Sequence, residues 1–122
     1  MKNPLYALLV APIPNMRYDI LHGTKKISIR EGHRDYRMGK VMLCCHLEPW
    51  AVMADITDVR HTTLNEVAED EYKADGFTNK QDMLNGMQRF YPTMTMDSPV
   101  TVIRWDNVSG ALQEQVNRIR KY

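Results

Sequence analysis

Apolar positions along the chain switch between two periods, and glycine or proline marks most of the switches. Residues 6–11 form a continuous apolar run of strand length, closed off by Pro12 and Pro14. Residues 15–23 place Met16, Ile20 and Leu21 at helical spacing, with Asn15 suited to the N-cap and Gly23 to the C-terminal stop. The period then drops to two: Ile27 and Ile29 alternate with Lys26, Ser28 and Arg30, which predicts a strand with its isoleucines inward. A polar loop runs on to Gly39. Residues 41–47 and 50–59 have the β-branched and apolar content of two further strands, separated by Glu48 and Pro49.

Helical patterning dominates the next stretch. Thr63 with Glu66 reads as a capping box opening a helix with Leu64, Val67 and Ala68 on one face, and Gly76 ends it. Thr78 with Gln81 reads as a second box, starting a helix whose inner face is Met83, Leu84, Met87 and Phe90, with Pro92 beyond it. Residues 100–105 form a last strand, and residues 109–121 a last helix with Leu112, Val116 and Ile119 inward. Strands that do not alternate regularly with helices favour an α+β fold with a mixed or antiparallel sheet closed into a small β-barrel, flanked by helices.

Length and composition narrow the class. A chain of 122 residues, 43% hydrophobic and 25% charged, is expected to form a single domain, residues 1–122, around one core. The formal net charge of +1 argues against a binder that relies on bulk electrostatics. No apolar run approaches a membrane span. The first apolar stretch carries a lysine and is cut by proline before a signal-peptide core is complete, so a cytoplasmic protein with no membrane partner is expected. Cys44 and Cys45 are the only cysteines, and neighbours in a strand point to opposite faces. With the histidines scattered, they read as strand residues, and neither a metal nor a cofactor is expected. Met83, Met87, Met94 and Met96 read as core filling, and Trp50 and Trp105 as core or half-buried strand residues.

Charge is uneven along the chain. Seven Lys/Arg against three acidic residues lie between Arg17 and Lys40, and eight acidic against three basic between Asp55 and Asp82. Either these are two solvated faces that cancel, or a basic strip suited to phosphate faces a carboxylate-bearing helical segment across a site. Residues 25–30, Lys-Lys-Ile-Ser-Ile-Arg, hold the candidate chemistry. Lys25, Lys26 and Arg30 depress one another's protonation if they converge, and a deprotonated lysine can take a proton from Ser28 or a water. Arg30 suits a phosphate or a carbonyl oxygen. Strict alternation puts Lys26 on the face of Ser28; Lys25 reaches it only if it precedes the regular strand. Tyr91 either stacks on a base or packs against the barrel.

The order of several short motifs resembles the ASCH family of small PUA-like barrels. They are "DILHGTKKISIREG", "YRMGKVM", the acidic helix ending "ADGF", and "FYP" before the final "VTVIRW". The resemblance runs over about residues 17–105, and within the family the chain is most similar to a small bacterial branch that hydrolyses 4-N-acetylcytidine to cytidine and acetate. It implies a catalytic lysine at Lys25, a hydroxyl at Ser28 and a carboxylate at Asp75; Lys26, Arg30 and Tyr91 are, on their own chemistry, the candidate substrate-binding residues. The branch has threonine and glutamate where this chain has Ser28 and Asp75.

Two functions are therefore expected to compete. One is a monomeric amidohydrolase acting on a small nucleoside-like substrate, in which Lys25 activates Ser28 or a water, Arg30 or a backbone N–H holds the oxyanion, and Asp75 manages the proton on the leaving amine. The other is a non-catalytic RNA- or nucleotide-binding module using the basic strip from Arg17 to Lys40.

Overall fold

The computed structural model describes residues 7–9, 19–45 and 50–109. Five strands are present: β1 (Ala7–Leu9), β2 (Ile27–Glu31), β3 (Gly39–Cys45), β4 (Trp50–Thr63) and β5 (Pro99–Ser109). A 3-10 turn at Leu64–Glu66 and two helices, α1 (Glu69–Ala74) and α2 (Lys80–Phe90), fill the connection between β4 and β5. Ser109, expected to open the tail helix, instead ends β5, and the rest of that expected helix, residues 110–121, lies outside the described residues, as do the helix start at Asn15 and the Trp50 side chain. Among the described residues, no helix is long and apolar enough to cross a membrane.

The strands make one sheet in the order β1-β3-β4-β5-β2, with β1 parallel to β3 and every other pair antiparallel. This is the small α+β architecture expected, but the sheet does not close into a barrel. The reason lies in β4. Its residues 50–56 pair with β3, while most of its ladder to β5 runs over residues 55–63. Register shifts at Met53/Asp55 and Ile56/Asp58 separate the two halves, and such bulges bend and twist a strand. Among the described residues β1 and β2 remain two edges, each paired on one side only.

Alternation divides β5 between two cores. Ile103 and Trp105 face one cluster, with Leu8, Ile20, Tyr36, Val41, Leu43, Val52, Ala54 and Ile56. Val100 and Val102 face the other, where Ile27 and Ile29 meet Leu64, Val67, Tyr72, Met83, Met87 and Met94. The helices thus cover one face of the sheet. Gly86 lets α2 approach Phe77 closely: a Cβ there would press on the Phe77 ring, with its Cζ at 3.0 Å.

Both capping boxes sit elsewhere than expected. β4 stays extended through Thr63, so the first helix begins only at Glu69. Its box is closed by Glu71, whose Oε1 accepts from the Ala68 N–H at 2.8 Å while Arg60 pairs with the same buried carboxylate. The second box is displaced by one residue. Asn79 caps α2 by accepting from the Asp82 N–H at 2.8 Å, and the Asp82 carboxylate accepts from the Thr78 N–H at 2.9 Å. Asp82 serves the N3 position with a shorter side chain than the glutamine the pattern suggests. Phe90, expected inside, is exposed; Tyr91 and Met94 close the core instead.

Candidate functional site

The site is assembled at the start of β2. Helical residues 19–21 end at Gly23, whose φ of 77° is the left-handed conformation that favours glycine. The N–H groups of Thr24 and Lys25 then both donate to the Asp19 carbonyl, at 2.9 and 3.0 Å. This turn holds Lys25 ahead of the regular strand, so strand alternation does not constrain its side chain. The Lys25 ammonium pairs with the Asp75 carboxylate, fifty residues away, and the two side chains are 12% and 10% exposed.

Asp75 stands where Gly76 was expected to end the first helix. It is the C-cap of α1, its N–H donating to the Glu71 carbonyl at 3.1 Å, and Asn79 caps the next helix. A helix C-terminus is the negative end of the backbone dipole and disfavours a carboxylate. Burial acts in the same direction: it lifts the Asp75 carboxyl above the ordinary carboxylate range, against the opposing charges of Lys25 and Arg30.

Ser28 is buried, 6% exposed, and its Oγ accepts from Arg30 Nε at 2.7 Å. Burial draws the Arg30 guanidinium below its usual value, offset first by Tyr91 and Tyr36 and then by Asp75. It stays cationic at neutral pH. Burial raises the Tyr36 phenol, against the pull of Arg30 and Arg34. Two pairs, Lys25 with Asp75 and Arg30 with Ser28, thus stand at the start of β2, and Arg30 lies within the electrostatic reach of Asp75 and Tyr91. Tyr91, the C-cap of α2, packs half-buried beside the second core.

Lys26 does not join them. It is half exposed and pairs with Asp106 at 3.1 Å, while its carbonyl accepts from the Trp105 N–H. The strand ladder claims its backbone, and a carboxylate at the end of β5 claims its amine, which leaves Lys25 as the amine of the cluster.

Three residues of this neighbourhood carry no sequence signal of their own: Arg34, Tyr36 and Thr101. Thr101 is opposite Arg30 in the register and fully buried. Its Oγ1 donates to the Gly32 carbonyl at 2.6 Å and accepts from the Arg34 N–H at 2.8 Å, and Arg34 Nε donates to the Glu31 carbonyl at 2.8 Å. These bonds fold the loop after β2 back toward Arg30. A hint was present in the Arg-Asp-Tyr of that loop, which composition alone assigns to solvent.

Comparison with known proteins gave no matching family model, no similar curated protein and no similar solved structure. The functional argument therefore rests on the site. A half-buried cation pair around one reluctant carboxylate can take up and release a proton, and can hold a developing negative charge on oxygen.

Proposed function

We propose that the chain is an ASCH-like, PUA-related domain that hydrolyses the acetyl amide of 4-N-acetylcytidine or a related acylated pyrimidine nucleoside. The observation that carries this reading is the Lys25–Asp75 pair, brought together across fifty residues beside Ser28 and Arg30. The proposed reaction starts with the proton of the pair on Asp75, the form that burial of its carboxyl favours. In the proposed reaction Lys25 Nζ takes a proton from the attacking water as its oxygen bonds to the acetyl carbon. The Lys25 ammonium formed in that step stabilises the resulting oxyanion. The carbon–nitrogen bond then breaks as Asp75 delivers a proton to the departing cytosine amine; the acetic acid formed ionises to acetate by losing its proton to solvent, and the Lys25 proton returns to Asp75. Because a cation already engages the Ser28 lone pair, water is the better nucleophile, and Ser28 serves to hold Arg30.

The test is direct. Purified protein is incubated with 4-N-acetylcytidine, the loss of the acetyl-shifted absorbance is followed, and the assay is repeated with Lys25→Ala and Asp75→Ala. A general acid or base contributes about 10²–10⁴-fold, so each variant is expected to lose at least about a hundredfold in kcat/KM. Absence of turnover in the wild-type protein overturns the reading.

A second reading, an RNA- or nucleotide-binding module on the basic strip, has one observation in its favour: the guanidinium on Ser28 lowers the nucleophilicity of that oxygen. Against it, Lys25, Lys26, Arg37 and Lys40 are each paired with a carboxylate of the chain itself. Salt-sensitive retention of RNA without turnover would favour this second reading.

A further inference from the structure

The cations of the strip differ in how they are satisfied. Lys26, Arg37 and Lys40 lie on the surface with Asp106, Asp35 and Asp55 as partners. Arg30 is half-buried, and of its five N–H donors only Nε is used, on Ser28 Oγ. Its Nη fork makes no hydrogen bond among the described residues. Around it stand Tyr91, Tyr36, Arg34 and Asp75, and that one carboxylate is already engaged by Lys25. Two cations, Lys25 and Arg30, therefore act on a single carboxylate in a partly desolvated place, and Arg34 adds a third positive charge near Arg30. An uncompensated charge removed from water needs a partner of opposite sign. A planar guanidinium presenting two parallel N–H groups matches the paired oxygens of a phosphate or carboxylate.

We infer that the Arg30 fork is an oxyanion subsite, and that the ligand of this site carries a compact anionic group in addition to any acyl amide. The inference rests on the proposed hydrolytic reading only for the amide; the anion site stands on a guanidinium fork that no described residue hydrogen-bonds. A neutral nucleoside would leave the subsite empty. A 5′-nucleotide, or a small amide bearing a carboxylate, would fill it.

The experiment is a calorimetric titration at low ionic strength with cytidine, cytidine 5′-monophosphate, inorganic phosphate and acetate. Cytidine 5′-monophosphate is expected to bind at least about tenfold more tightly than cytidine, as a charge-assisted bidentate contact implies. Displacement of the nucleotide by inorganic phosphate assigns the anion as phosphate, and displacement by acetate alone assigns it as carboxylate. Arg30→Gln is expected to abolish the difference, Arg30→Lys to retain part of it, and Arg37→Gln to leave it unchanged. Thermal unfolding of each variant separates loss of the subsite from loss of the fold, and Arg30→Lys decides the matter if Arg30→Gln does not fold. Equal affinity for cytidine and its monophosphate, a difference that survives in the Arg30 variants, or no anion binding at millimolar concentration would each overturn the inference. Turnover of 4-N-acetylcytidine with no anion effect would remove this inference and keep the hydrolytic reading, and anion binding without turnover would do the reverse.

Discussion

Thr101 stands opposite Arg30 in the β2–β5 register, and its hydroxyl bridges the Gly32 carbonyl and the Arg34 amide. One buried oxygen on the central part of the sheet therefore fixes the loop that carries Arg34 and Tyr36. Thr101→Val keeps the shape but leaves a partly buried carbonyl and a partly buried N–H without this partner. Such losses cost about 1–3 kcal/mol each. Chemical denaturation is expected to show Thr101→Val destabilised by at least about 1 kcal/mol, with Thr101→Ser much closer to wild type. Equal stability of the two variants would contradict the bridge.

Asp75 gives a pH dependence with a definite sign. Its carboxyl titrates above the ordinary value of 3.8, mainly because it is buried. Between that value and the raised one, the folded chain binds more protons than the unfolded chain, so this group's contribution to stability falls as pH rises through that window. Below the ordinary value the contribution is constant. A carbon-detected NMR titration of the Asp75 carboxyl is expected to give a midpoint above 3.8. Wild type minus Asp75→Asn stability is expected to decline from the acid side upward, and a midpoint at or below the ordinary value would refute the assignment.

Gly86 lies inside α2, where alanine normally improves helix stability by about 1 kcal/mol. Here the added methyl meets the Phe77 ring. Overpacking typically costs about 1–3 kcal/mol, so steric pressure wins and Gly86→Ala is expected to lower the unfolding midpoint. Adding Phe77→Leu to that variant is expected to recover part of the loss, a non-additivity that a double-mutant cycle measures.

Glu71 accepts from the Ala68 N–H and pairs with Arg60 while itself buried, 6% exposed. Glu71→Ala removes the cap and strands the guanidinium. Breaking such a pair costs about 3–5 kcal/mol when fully buried; Arg60 is partly exposed, so the lower end of that range is expected. Glu71→Gln keeps an acceptor for Ala68 and is expected to be milder. Because Glu71 anchors the helix that ends at Asp75, Glu71→Ala is also expected to weaken any activity that depends on the Lys25–Asp75 pair.

Much of this architecture was legible in one dimension. The two-residue period marked β2 because its isoleucines meet a core, β-branched and apolar content marked β3, β4 and β5, and the helical period marked α2 because Met83 and Met87 face inward. Gly23 announced a left-handed turn, since few other residues adopt that φ without strain. The candidate residues Lys25, Ser28, Arg30 and Asp75 were nameable from chemistry and motif order, and the fold brings them together.

Tertiary structure decided what local pattern leaves degenerate. Whether Lys25 or Lys26 serves the cluster depends on where β2 begins and on which carboxylate each amine can reach, and Asp75 and Asp106 are each far from them in sequence. Closure of the sheet depends on how β4 divides its length between β3 and β5, which is a matter of register and bulges. Thr101 belongs to the site only because antiparallel pairing places it opposite Arg30. Periodicity records which face of an element is apolar; which distant polar groups share a small desolvated volume is set by the three-dimensional packing of those faces.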